Sequence, residues 1–254
     1  MRVLYCGDTS LSTAAAYLGG LIANWNWDLQ YVESGRTLTE LEIGPTIDPP
    51  ACCDLFIFSD FPAERASTTV QRRVLDRVRD GAGLVMIGGW ESYHGLGGNW
   101  DGTPIGEALP VEISREDDRV NSDKPVLVDA LQPEHPILAG LPWADRPPLI
   151  GGFNRVSARG TADVLLEAVT HAALRTPAGF EFREERRDPL LVAGELGRGR
   201  TLAMATDVAP HWVGPLVDWG DDRVRAQAEG GEPVEVGNLY SQFLFQMLSW
   251  AGRR

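Results

Sequence analysis

The first ninety residues alternate short, continuously apolar runs with amphipathic stretches, and this alternation restricts the fold more than any other feature. Arg2 to Cys6 has the pattern of a strand and ends at Gly7-Asp8-Thr9. Ser10 or Ser12 is placed to cap a helix reaching about Trp25, and Leu29 to Val32 is a second strand. A Pro- and Gly-rich stretch, Gly44 to Pro50, precedes a third strand, Asp54 to Phe58, which ends in Ser59-Asp60. Glu64 to Asp80 sets Val70, Val74, Leu75 and Val78 on one helical stripe, Gly81 stops it, and Leu84 to Ile87 is the next strand. A strand apolar at every residue has to be buried on both faces. The pattern therefore predicts a mostly parallel sheet with helices over both faces. In such sheets ligands bind beyond the carboxyl ends of the strands, so the residues just after each strand become the candidates for function.

The rhythm breaks between Gly95 and Phe182, a Gly- and Pro-rich section with short strand-like pieces at Val111–Ser114, Arg155–Ala158 and Val164–Ala168. It reads as an insertion of antiparallel strands and loops, about 95–182, in a single domain spanning 1–254. Leu190–Glu195 and Thr201–Ala205 form a hairpin around Gly197-Arg198-Gly199, and the chain closes with an amphipathic helix over about Val236–Trp250.

A net charge of −13 repels polyanions, which argues against nucleic acid and anionic membrane surfaces as partners. The basic runs Arg72-Arg73 and Arg183 to Arg187 are interleaved with acids and read as solvated surface. Three cysteines, Cys6 and the adjacent Cys52-Cys53, do not make a disulfide framework or a zinc spacing; reduced thiols fit a cytoplasmic location. The N-terminus runs straight into a strand pattern rather than a signal peptide, and no metal or cofactor is expected. Several of the eight tryptophans fall in apparent loops, where they would line a cleft or a homo-oligomer contact.

The sharpest local signal is Gly83-Leu84-Val85-Met86-Ile87-Gly88-Gly89-Trp90-Glu91-Ser92. A buried strand enters a Gly-Gly turn and then, by expectation, a short helix whose first amides could bind an anion. The alternative is a plain tight turn. Around it the sequence resembles a known family. Gly81–Gly89, Gly102-Thr103-Pro104-Ile105 with Leu109-Pro110-Val111, His135–Leu141, and Gly199-Arg200-Thr201 through Thr206–Trp212 are similar to the GATase1-like group of cytoplasmic, glutamine-amidotransferase-like proteins. That group is related to class I glutamine amidotransferases and more distantly to ThuA-like proteins. The resemblance implies a flavodoxin-like three-layer sandwich. Class I amidotransferases carry a cysteine nucleophile on the elbow after the central strand, activated by a later His and Glu. The matching elbow here is Ile87-Gly88-Gly89-Trp90, with no cysteine. Glutamine hydrolysis by that route needs a thiolate, so the resemblance implies a non-canonical member without glutaminase activity, a pseudoenzyme candidate.

The remaining candidates gather at predicted strand ends. His211, with Asp207 and Glu91, is the candidate catalytic set; its alternative is a structural His in a Pro/Trp loop. Asp8 and Asp60 each follow a strand, where they would hold a polar ligand or do acid–base work, the alternative being helix capping. Gly88, Gly89, Trp90, Ser92, Asn154 and Trp212 complete the candidate ligand site. His94 could face the same cleft, the favoured alternative being a surface residue on a short helix; His135 reads as a structural turn, and His171 as an exposed helix or loop residue. Three functions stay open: binding of a small polar molecule, hydrolase or isomerase action on a small polar or sugar-like compound through His211 with acidic partners, and a non-catalytic oligomeric binding module.

Overall fold

The computed structural model describes residues 1–43, 53–160 and 162–253. The Gly44–Pro50 stretch and Cys52 lie outside the described residues. Strands β1 (Arg2–Gly7), β2 (Asp28–Val32), β3 (Leu55–Ser59) and β4 (Gly83–Ile87) alternate with helices α1 (Ala15–Asn24), α2 (Glu40–Ile43) and α3 (Thr68–Arg79). A short helix α4 (Pro104–Ala108) precedes β5 (Val111–Glu112), β6 (Arg119–Ala130), β7 (Leu149–Asn154), β8 (Ser157–Ala158), β9 (Asp163–Thr176), β10 (Gly179–Leu196) and β11 (Gly199–Met204). The chain finishes with α5 (Pro210–Val213), β12 (Arg223–Ala226), β13 (Val234–Gly237) and α6 (Asn238–Ala251).

Nine strands form one sheet in the order β2-β1-β3-β4-β11-β10-β9-β6-β7. Half of it is parallel, from β2 to β11. The other half, β11 through β7, is antiparallel. The expected mostly parallel sheet is therefore corrected: the antiparallel middle strands, expected as an insertion attached to the sheet, make up nearly half of it. They escaped that assignment because a half-exposed antiparallel strand alternates polar and apolar residues. β3 and β4 are buried at every residue, as their unbroken apolar runs require.

The apolar stripe of α3 buries Val70, Val74, Leu75 and Val78. Each such side chain contributes about 1.5–3 kcal/mol on leaving water. Ser67 caps the helix by accepting the Val70 amide at 3.3 Å. Helix α1 starts later than expected, at Ala15, because Ser10, Ser12 and Thr13 bond to one another in a preceding turn. Neither Asp8 nor Asp60 caps a helix. No helix follows Gly88-Gly89: Tyr93, Gly95, Gly97 and Asn99 adopt positive φ, which breaks helical continuation, and the next helix waits until Pro104.

The antiparallel half curls back, bringing the end of β7 against the end of β11. There the Asn154 amide donates to the Ala205 carbonyl at 2.8 Å, and Thr206 Oγ1 donates to the Gly152 carbonyl at 2.8 Å. Five strand ends thus converge. Among the described residues, no helix is long and apolar enough to cross a membrane.

Candidate functional site

The parallel register sets Gly7 beside Ser59, Ser59 beside Ile87, and Ile87 beside Met204. One residue further on, each strand presents a functional group: Asp8 after β1, Asp60 after β3, Gly88 after β4. β11 ends in Ala205-Thr206-Asp207. Asp8 and Asp60 leave their strands with left-handed backbones, at φ 50° and 43°. Short polar side chains tolerate that conformation better than most.

Every amide of the Gly-Gly turn is already bonded within the protein. Gly88 N–H donates to the carbonyls of Met204 at 2.7 Å and Thr206 at 3.1 Å. Gly89 N–H donates to Asn154 Oδ1 at 2.9 Å, and Asn154 Nδ2 returns a bond to the Gly89 carbonyl at 3.1 Å. The amides of Trp90 and Glu91 both donate to the Asp60 carboxylate, Glu91 at 2.7 Å to Oδ1. Ser92 Oγ accepts the Asp60 amide at 2.9 Å, so residues 60 and 90–92 clasp each other. The expectation that this turn offers free amides to an anion is corrected: Asp60 takes the place of that anion.

Glycine is required here by space as well as by backbone. A Cβ on Gly89, at φ 156°, would lie 2.1 Å from Asp60 Oδ1 and 2.4 Å from its carboxyl carbon. A Cβ on Gly88 would lie 2.1 Å from the Ala205 carbonyl oxygen. No nucleophilic side chain fits on Gly89 while Asp60 stays in position, or on Gly88 against the Ala205 carbonyl.

The floor is acidic. Asp8 is buried and accepts a hydrogen bond from the Tyr5 hydroxyl. Burial pushes its carboxyl up to about 6, against the pull of that hydroxyl. Burial also pushes Asp60 up to about 7, and the Asp8 charge adds to the effect. Asp207 is held well above the usual range by burial, then by the charges of Asp8 and Asp60. Desolvation and mutual repulsion move all three carboxyls up toward the neutral range, where proton transfer is most useful. Ser59 Oγ is fully buried beside them. Among the described residues, no three His, Cys, Asp or Glu side chains are arranged to hold a metal ion.

The mouth is formed by Trp90, which is 42% exposed. Its ring lies 6.0 Å from the exposed His211 ring, and the Arg119 guanidinium stacks on it at 4.6 Å. Arg119 is anchored by two bonds from its guanidinium to Asp117, at 2.9 and 2.7 Å. Asp207 does not orient His211. Its Oδ1 accepts the amides of Val208 at 2.6 Å and Ala209 at 3.1 Å, because the chain turns into α5 there. Trp212 is also corrected as a cleft residue: it is buried, and its Nε1–H donates to Asn121 Oδ1 at 2.7 Å. Asn154 is buried in a structural rather than exposed position, bridging Gly89 and Asp118.

His94 turns away, pairing through Nδ1 with Asp101 Oδ1 at 2.7 Å. His135 packs on Trp250 and accepts the Ile137 amide, a turn role, and His171 lies in β9 rather than in a helix or loop. Asp118, Arg119 and Tyr5 escaped sequence reasoning. Asp118 accepts the His94 and Gly95 amides at 3.0 and 3.1 Å and Asn154 Nδ2 at 2.8 Å, holding the post-turn loop. Only its place in a charged run could have marked it. A cavity of about 350 Å³ opens beside it, lined by Asp117, Asp118, Arg119, Arg155, Ser157 and Arg186 among others. A larger one, about 750 Å³, lies between α3 and α4 and touches none of the strand-end acids, so its size does not make it the site.

Comparison with solved structures finds the same fold in two cytoplasmic proteins of Salmonella typhimurium, STM3548 and STM1381. Each is 22% identical over 99% of both chains, with TM-scores of 0.72 and 0.73. A "putative thua-like protein" from Parabacteroides merdae is 13% identical, covering 99% of this chain and 90% of its own, with a TM-score of 0.61. Comparison with curated proteins finds no match. The model of the GATase1-like family, "Putative glutamine amidotransferase", matches residues 55–224, two thirds of the sequence and all of the Gly-Gly turn. The chain belongs to the GATase1-like family.

Proposed function

We propose that this chain binds a small polar compound beside the Gly88–Gly89 turn and does not hydrolyse glutamine. The observation that carries the reading is the Asp60 carboxylate, which fills the space above Gly89 and takes the amides of Trp90 and Glu91. An acyl-enzyme route needs both an activated nucleophile and free oxyanion donors at that turn. Among the described residues, the thiols do not supply the nucleophile. Cys6 is buried in β1, and burial pushes the Cys53 thiol up to about 12. Both are free, which fits the cytoplasmic location proposed here. The ligand would enter at Trp90 and His211 and reach the partly exposed Asp60 and Glu91, with Asp8 and Asp207 behind them as a proton reserve. The parallel half of the sheet is read as a flavodoxin-like core, and residues 95–182 as an elaboration of one domain.

Purified protein incubated with glutamine is expected to release no ammonia above a heat-inactivated control. Release that persists after replacing Cys6, Cys52 and Cys53 together by Ser would overturn the reading.

A second reading makes the cleft an acid–base catalyst, a hydrolase or isomerase for a small polar or sugar-like substrate. It is favoured by the Asp60 carboxyl near 7 and by His211 beside Trp90. In it Asp60 moves the proton and His211 contacts the substrate. Unchanged turnover and binding in His211→Ala would remove His211 from either scheme.

A further inference from the structure

Far from the cleft, β9 and β10 run past the rest of the sheet. β6 pairs with β9 only over Leu166–Val169, and β11 pairs with β10 only from Leu191 onward. Beyond those limits the two strands pair with each other alone, out to Thr176 and Gly179. A two-stranded ribbon is marginal by itself in water. This one exposes Phe180 by 67% and Phe182 by 72%, two residues apart and therefore on one face. From tip to base the cross-strand pairs on that face are Phe180 with Arg175, Phe182 with Ala173, and Glu184 with His171.

We propose that this face is the contact between two copies of the chain, stacked arm on arm about a two-fold axis. Charge favours a second copy as occupant. The tip is basic: among the described residues Arg175 has no ion-pair partner. The base is acidic: one guanidinium, Arg187, serves Glu184, Asp129 and Glu167, leaving carboxylate charge in excess. A two-fold axis through Phe182 sets Arg175 of one copy over Glu184 of the other, twice, with the rings between them. This is the self-complementarity an isologous contact needs. Four phenylalanine rings at these exposures remove roughly 500–600 Å² of aromatic surface. That is about a third of a standard interface before the flanking residues are counted. The face would otherwise remain an exposed apolar patch on an unpaired ribbon.

Sedimentation velocity of the full chain, from micromolar to hundreds of micromolar, tests this. A concentration-dependent dimer is expected for the native sequence, and a monomer for Phe180→Ser/Phe182→Ser. Arg175→Glu is expected to weaken association roughly tenfold or more by setting like charges opposite, and Arg175→Glu/Glu184→Arg to recover most of the loss. All four positions are exposed, so circular dichroism, and unfolding midpoints at concentrations where the native chain is monomeric, should stay unchanged. A native monomer throughout, a dimer unaffected by the phenylalanine substitutions, or a charge reversal that recovers nothing overturns the proposal.

Discussion

A Cβ at residue 89 would stand 2.1 Å from a carboxylate oxygen that the Glu91 amide already holds in place. Restoring the cysteine of a class I amidotransferase is therefore not a matter of one codon. Gly89→Cys has to move Asp60 away from the Trp90 and Glu91 amides and also adopt φ 156°, a conformation that side chains rarely take. Backbone strain of that kind costs about 1–3 kcal/mol, and stripping hydrogen bonds from a charged group adds a similar amount. Gly89→Cys is expected to lose about 3 kcal/mol in chemical denaturation and to gain no glutaminase activity. A variant as stable as the native chain would mean that Asp60 does not occupy that space. His211 illustrates a separate lesson. Its strand-end position was legible, but Asp207 beside it in sequence spends its carboxylate on the next two amides.

At the scale of elements, the segment after the turn is held not by its own regularity but by Asp118 and Asn154. Trp90 to Gly98 has no helical ladder, and two of its amides, at His94 and Gly95, end on one carboxylate at the start of β6. Asp118→Ala should cost about 2–3 kcal/mol by leaving those amides and Asn154 without an acceptor. It should also speed hydrogen exchange at His94 and Gly95 specifically. Uniform exchange with no local change would show that the loop is anchored elsewhere. These links span 23 to 36 residues, which is why no local pattern revealed them. The parallel strands were legible for the opposite reason: complete burial writes an unbroken apolar run into β3 and β4. The Arg183–Arg187 run was rightly taken as exposed, yet it belongs to β10, because strand pairing sets no limit on charge where both faces meet water. Gly88-Gly89 was legible as a turn, but which group occupied its amides was a tertiary fact.

For the whole molecule, three acids that converge at one sheet edge, two of them buried, tie stability to pH. The Asp60 carboxyl rises from 3.8 to about 7 on folding, chiefly by burial. A raised value means that the folded chain keeps a proton the unfolded chain has released. The resulting stabilisation is fully present below about pH 4 and is lost as pH climbs through 7. With Asp60 only partly buried, that loss is expected to be about 2 kcal/mol, and Asp60→Asn should flatten the slope between pH 5 and 8. Any acid–base chemistry in the cleft would draw on the same proton. The account therefore turns on the titration of one group, which carboxyl-carbon NMR of the native chain reads directly, with Asp60→Asn assigning the signal. A midpoint near 7 is the result predicted for a carboxyl packed into the strand-end cluster beside Asp8, where burial and that charge outweigh the amide bonds it accepts. A midpoint near 4, the value of a free aspartate, would contradict it.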